Sequence, residues 1–398
     1  MEGEAARYDR YRSILAEESL PCAIVDADAL EHNVDAIVRT VGIGGKTLRV
    51  ATKSLRCPEL VQRVRARAGA VARGLMTYTA AETAFWAERG EKDLLLAYPT
   101  ARADDAARLA DANAKGATAA IVVDEPGQLE LLAAAARARS TTLPVVVDVD
   151  VAWRPLGSST HVGVRRSPLR QPRDVVALAA RAASTAGLRF QGVMAYEAQL
   201  AGVPDASAAV RAMKQASRTD VARRRAEVAR ALTEAGLRPA LFNGGGTGSV
   251  ATSAADPSLT EVTAGSGFVD SHLFDGYRGL GLEPAAYFAL QVVRRPAPGM
   301  ATCHGGGYVA SGSAGRDRLP VPSLPAGLGL LSLEGVGEVQ TPLSVPRGVE
   351  LALGDPVFFR HAKAGELAEH FAEYLLVRGA RIEARAPTYR GLGQCFLG

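Results

Sequence analysis

Lys53 is the residue of this sequence whose position suits a nucleophile. It follows the apolar run Leu48-Arg49-Val50-Ala51, which predicts a buried strand, and Cys57-Pro58-Glu59-Leu60 begins a helical pattern downstream. A lysine at a strand's carboxyl end points into the mouth of an α/β barrel. Desolvation and neighbouring positive charge there depress its pKa and free the amine. The second chemical feature is a cradle for an anion. In Asn243-Gly244-Gly245-Gly246-Thr247-Gly248-Ser249 the glycines let backbone N–H groups approach a phosphate, and Thr247 and Ser249 add hydroxyls. A second small-residue turn, Thr263-Ala264-Gly265-Ser266-Gly267, follows closely, and two such loops can clamp one phosphate. Neither loop has the Walker spacing, nor GxGxxG at a first βα turn.

These groups need a scaffold, and the chain alternates short apolar strands with Ala-rich helices. Strands are predicted at 22–26, 48–52, 71–76, 93–98, 118–123, 143–149, 189–195 and 239–242. Helices are predicted at 79–89, 103–114, 126–138, 171–185 and 206–235. Such alternation means a parallel sheet covered on both faces, and about eight units predict a closed (β/α)8 TIM-like barrel over residues 21–275. A polar, amphipathic helical segment, 1–20, precedes it. From about residue 276 the texture changes to β-rich runs such as Ala289-Leu290-Gln291-Val292-Val293 and Gly335-Val336-Gly337-Glu338-Val339, separated by Gly and Pro clusters. A mostly antiparallel β domain is predicted over 276–398, interrupted by one helix from Gly365 to about Tyr374.

The 398 residues suffice for one large barrel plus a smaller domain, with the 47% hydrophobic and 22% charged composition of a globular protein. The net charge of +4, from 46 basic and 42 acidic residues, is small and dispersed, which argues against a nucleic-acid partner. Arg223-Arg224-Arg225 falls in a helical pattern and reads as a solvated face. Cys22, Cys57, Cys303 and Cys395 lie far apart without CxxC spacing, so neither a disulfide framework nor a cysteine zinc site is expected. The acidic Met1-Glu2-Gly3-Glu4 start is not a signal peptide, and no apolar run reaches membrane-spanning length; a cytoplasmic enzyme is expected.

Pro21-Cys22-Ala23-Ile24-Val25-Asp26 and Val50-Ala51-Thr52-Lys53-Ser54, with the glycine loop at 243–248 and Gly265-Ser266-Gly267-Phe268-Val269-Asp270, resemble the fold-type III pyridoxal-phosphate (PLP) enzymes. The likeness is to the D-threonine aldolase and D-serine dehydratase branch, and alanine racemase is a more distant relative. The resemblance implies that Lys53 carries PLP as a Schiff base and later acts as a base on the substrate. It places Asn243, Gly245, Gly246, Thr247, Gly265 and Ser266 around the phosphate. Tyr196 falls where relatives hold a tyrosine near the cofactor ring, with a core aromatic as the other reading. Arg154 falls where relatives direct an arginine at the PLP phenolic oxygen, with Arg165 as a competitor.

The same branch carries a His-x-Cys or His-x-Asp pair that holds a divalent cation against the substrate β-hydroxyl. Here the segment reads His361-Ala362-Lys363-Ala364-Gly365-Glu366, and an ammonium has no lone pair for a metal. Glu366 is the remaining replacement ligand, so no tightly held metal is expected. Either the Lys363 ammonium supplies the metal's positive charge, or His361 and Lys363 simply line a strand. Gly305-Gly306-Gly307-Tyr308 loosely resembles the segment that brings a second catalytic base from the partner subunit in alanine racemases. The reading that follows is an aldolase acting on a D-configured β-hydroxy-α-amino acid, with its base among Glu197, His361 and Lys363. The alternatives are a dehydratase, a racemase using Lys53 and Tyr308, a PLP carrier protein, and a sugar-phosphate barrel enzyme without PLP. The resemblance also implies a homodimer.

Overall fold

A computed structural model describes residues 2–397, the side chain of Ser158 excepted. Seventeen strands follow in chain order. The first, β1 (Cys22–Asp26), is followed by eight that close a parallel barrel. These are β2 (Thr47–Ala51), β3 (Ala72–Thr77), β4 (Asp93–Leu96), β5 (Thr118–Val123), β6 (Leu143–Asp148), β7 (Leu188–Met194), β8 (Leu241–Gly244) and β9 (Glu261–Ala264). The last, β9, returns to pair with β2. Their sequences show why they are strands: β6, Leu-Pro-Val-Val-Val-Asp, is buried at every position, as a strand covered by side chains on both faces must be. The helices between them carry their own start signals. Pro58 opens Pro58–Ala68 in a position where its missing N–H costs nothing, with Glu59 in the first turn and Arg65 and Arg67 in the last.

The second sheet is built from β1 and eight later strands: β10 (Ala286–Arg294), β11 (Met300–His304), β12 (Val321–Leu324), β13 (Gly329–Leu330), β14 (Gln340–Ser344), β15 (Pro356–Arg360), β16 (Glu373–Arg378) and β17 (Arg381–Pro387). Its main path runs β13-β14-β11-β10-β1-β16-β17, with β15 on β10 and β12 on β15. All pairings are antiparallel except β1 with β16.

Three expectations change. Residues 22–26 do not open the barrel: Cys22 pairs with Ala289 and Ile24 with Leu375, which puts β1 at the centre of the second sheet. The Asp26 carboxylate fixes that placement, accepting hydrogen bonds from Tyr11 (2.6 Å), Arg10 (3.0 Å) and the N–H groups of Asp28 and Ala29. It thus ties the first helix, Glu4–Ile14, to the cap of the next, Ala27–Ile43. The missing barrel strand is β9, whose Glu261 pairs inside the barrel with Arg49 at 2.6 Å. Helix Ala27–Ile43 still completes the outer ring, packing between Val250–Ala254 and Pro58–Ala68. In the second sheet, Gly335-Val339 forms a bend-rich loop, and the strand follows at β14. The helix expected from Gly365 is a short 3-10 turn, Gly365–Glu369, and Tyr374 already belongs to β16.

The C-terminal segment is pinned to the barrel by a buried relay. Trp86 donates to the Tyr389 hydroxyl (2.8 Å), which donates to Glu82 (2.7 Å). Burial pushes the Glu82 carboxyl up to about 7 against the hydrogen bonds it accepts.

Candidate active site

A cavity of about 550 Å³ opens at the carboxyl ends of the barrel strands, with residues 362–366 of the second sheet's side on its wall. Lys53 sits in the 3-10 turn Thr52–Ser54 that caps β2, exposed into this space. The turn is held from behind, where the Thr52 hydroxyl donates to the Met76 carbonyl at 3.0 Å. Lys53 Nζ donates to the Tyr98 hydroxyl at 3.1 Å. Arg166 lies over both the Tyr98 ring (5.2 Å) and the Tyr196 ring (5.0 Å), and all three line the cavity. Burial alone would raise the Tyr98 phenol, but Lys53 and Arg166 outweigh it and hold the group below its ordinary value. For Tyr196 the balance goes the other way, and burial pushes its phenol up to about 12. Tyr196 is therefore a neutral donor.

The two glycine loops face Lys53. Gly245, Gly246 and Thr247 from one, and Gly265 and Ser266 from the other, line the cavity. They are stitched together, since the Gly267 N–H donates to Thr247 Oγ1 at 2.9 Å. Ser266 and Ser54 hydroxyls meet at 3.2 Å, joining the second loop to the lysine turn. Small residues are required here: a Cβ on Gly246 would lie 2.8 Å from Ala201 Cβ and 3.2 Å from the Tyr196 ring, closing the space. Asn243 reaches the cavity from β8 and donates to Glu261 (2.7 Å) and Thr263 (2.8 Å). These residues fit PLP: a primary amine, an anion cradle of backbone and hydroxyl groups, and an aromatic ring between them.

Glu197 does not face the cavity. It lies beneath the first loop, fully buried, ion-paired with Arg225 and accepting from Ser249 (2.7 Å), Ser253 and the Gly245 N–H (3.1 Å). Burial would raise this carboxyl, but Arg225 and the hydroxyl donors hold it below its ordinary value. It is an anchor of the cradle, not a base. Arg225 belongs with it, so the arginine run is not all solvated. Arg223 and Arg224 pair with Asp220 on the surface, while Arg225 turns inward and also bonds Asp256.

Other residues are redistributed too. Arg154 is tied to Asp150 at 2.6 Å and does not line the cavity; nor does the exposed Arg165, whereas its neighbour Arg166 does, as do Arg56 and Arg318. Tyr308 stacks on His370 (4.4 Å between ring centres) and packs edge-on against Phe288, outside the cavity of its own chain. Lys363 and Glu366 do line it, but His361 lies behind them, buried. Its Nδ1 faces the backbone N–H (3.0 Å) and carbonyl (2.7 Å) of Lys363, and its Nε2 is buried without a partner. Burial pushes the imidazole down to about 4, so it is neutral. Sequence reasoning missed Tyr98, although it stands just past a strand end as Lys53 does. Arg166 follows no periodic pattern that could have marked it.

A closed barrel with an amine at one strand end and a double glycine cradle joined to its turn defines a class of phosphate-holding barrel sites. The chain belongs to the family described as alanine racemase, N-terminal domain, which matches residues 25–269. It is 28% identical over 257 residues to a 3-hydroxy-D-aspartate aldolase of Paracoccus denitrificans, covering 64% of this chain and 62% of that protein's length. Its fold is similar to that of D-threonine aldolase from Filomicrobium marinum, with a TM-score of 0.81, 22% identity, and coverage of 95% of this chain and 96% of the other. It is also similar to a variant of D-threo-3-hydroxyaspartate dehydratase in its metal-free form, with a TM-score of 0.75, 20% identity, and coverage of 94% and 98%. The fold expected from the sequence, a TIM-like barrel with a mostly antiparallel β domain, holds. No helix among the described residues is long and apolar enough to cross a membrane.

Proposed function

We propose that this protein is a PLP-dependent lyase that cleaves or forms the Cα–Cβ bond of a D-configured β-hydroxy-α-amino acid. The observation that carries the reading is Lys53 in the cavity, facing two glycine loops that are tied together by Thr247. The likeness to enzymes named for aldol cleavage of D-amino acids supports the choice of reaction. PLP, when bound, would supply an electron sink for the bond broken at the substrate's Cα. In this chain Lys53 would hold the cofactor and, once displaced from it by the substrate amine, would take the β-hydroxyl proton and return it to Cα as the Cα–Cβ bond breaks. Tyr98, hydrogen-bonded to that amine, keeps it oriented and is the neighbour through which the proton can be shared. Tyr196 contributes a neutral hydroxyl, and Arg166 a fixed positive charge across both tyrosine rings. Residues 362–366 wall the cavity and so limit the access of water to the reacting carbon. A homodimer is proposed from the resemblance, and a cytoplasmic location from four dispersed cysteines without CxxC spacing.

The test is to reconstitute the purified protein with PLP and offer it D-threonine. Visible absorbance of lysine-bound cofactor, lost in Lys53→Ala, together with glycine and acetaldehyde as products, is the expected result. A keto acid with ammonia would instead make it a dehydratase, and inverted threonine alone a racemase. No visible absorbance would sink the reading.

A further inference from the structure

The part of the cavity wall formed by residues 362–366 departs from the arrangement that the resemblance implies. There a divalent cation would be held by His361 and the residue two positions on, which is Lys363. Lys363 Nζ donates to Ser311 Oγ at 2.7 Å and lies 3.6 Å from Glu366 Oε1. Ser311 in turn donates to both oxygens of Glu366, its hydroxyl at 2.5 Å and its backbone N–H at 2.8 Å. The carboxylate that could have replaced a ligand is thus already shared between a hydroxyl, an amide and an ammonium. His361 is engaged through Nδ1 by the backbone of Lys363, and its Nε2 lies behind the cavity wall. Among the described residues no group of three or more His, Cys, Asp or Glu side chains is arranged to hold a metal ion. One imidazole nitrogen, one neutralised carboxylate and one cation do not fit a divalent metal.

The geometry offers a different use. An ammonium has three donors; Ser311 takes one and Glu366 orients the group, leaving donor capacity toward the cavity that Lys363 lines. The lysine side chain is 38% exposed. We infer that Lys363, clamped by Ser311 and Glu366, binds the β-oxygen of the substrate directly and makes this a metal-independent enzyme. This rests on the lyase reading above. An ammonium aimed at an oxygen that gains negative charge stabilises it as a metal would, without requiring ligands that this chain lacks.

The experiment uses the PLP-loaded protein after exhaustive dialysis against EDTA. Calorimetric titration with MnCl2 is expected to show no saturable binding to the native enzyme. Micromolar binding by the native enzyme would overturn the inference whatever the activity. Lys363→Met is expected to keep the visible absorbance of bound cofactor and lose turnover of D-threonine by about 100-fold. In the same variant, D-threonine and D-alanine should perturb that absorbance at equal concentrations, while the native enzyme responds to D-threonine at the lower one. Native turnover and native discrimination in Lys363→Met would also overturn it. Absence of the cofactor absorbance from the native protein would instead reject the lyase reading, and the manganese titration separates that failure from this one.

Discussion

Glu197 holds the first glycine loop by its charge. The carboxylate is wholly buried, and every donor around it belongs either to the loop that must hold the anion or to the helices beneath it. Removing the charge while keeping the shape, as in Glu197→Gln, leaves Arg225 buried with only Asp256 as its ionic partner. Breaking a buried pair in this way should cost about 3–5 kcal/mol of stability, read from urea denaturation. The same site sets a pH response. The folded carboxyl lies below its ordinary value of 4.5, so its contribution is complete above that value and disappears as pH falls through the folded one. Denaturation midpoints measured from pH 6 downward should show that acid loss in the native protein and a flatter curve in Glu197→Gln. At this scale the position of Lys53, Asn243, Thr247 and Ser266 on one cavity was legible because strand ends and glycine turns have local patterns. The roles of Glu197 and Arg225 were not, since their partners lie 28 residues apart in sequence and meet only through the fold.

Among the elements, the contact that matters most to the chemistry is between the lysine turn Thr52–Ser54 and the 3-10 turn Gly365–Glu369. A Cβ on Gly365 would overlap the carbonyl oxygen of Lys53, so only a glycine allows the two turns to meet. Arg56 reinforces the junction, donating to the Lys53 carbonyl (3.1 Å) and to Glu369 (2.6 Å). Gly365→Ala should therefore fold, because the overlap is relieved by shifting a short turn, yet it should displace Lys53. A misplacement of this kind is expected to lower turnover by about 100-fold, with circular dichroism unchanged. Reading elements from sequence worked where a run was long and apolar, as in β6. It failed for β9, four residues long with a buried glutamate, because its strand character comes from the Arg49 pairing and not from its own pattern. It also failed to say which sheet β1 joins, since an apolar run announces a strand but not its neighbours.

For the whole molecule, that misplaced strand is the main architectural fact. The second sheet is not a C-terminal unit, because β1 lies between β10 and β16 and the barrel is inserted between β1 and its partners. Residues 276–398 expressed alone should remain unfolded by circular dichroism and proton NMR, since they lack the central strand. Joining residues 2–26 to that fragment should restore antiparallel strand signal, and a folded 276–398 fragment would count against this account. The arrangement also has a consequence in time. Cys22 leaves the ribosome early, but Ala289, which it must pair with, is made only after the entire barrel. At ordinary rates of synthesis the strand waits roughly ten seconds to a minute with its apolar residues unmatched. Strand β1 is thus a segment that a chaperone would have to shield until its partners are made.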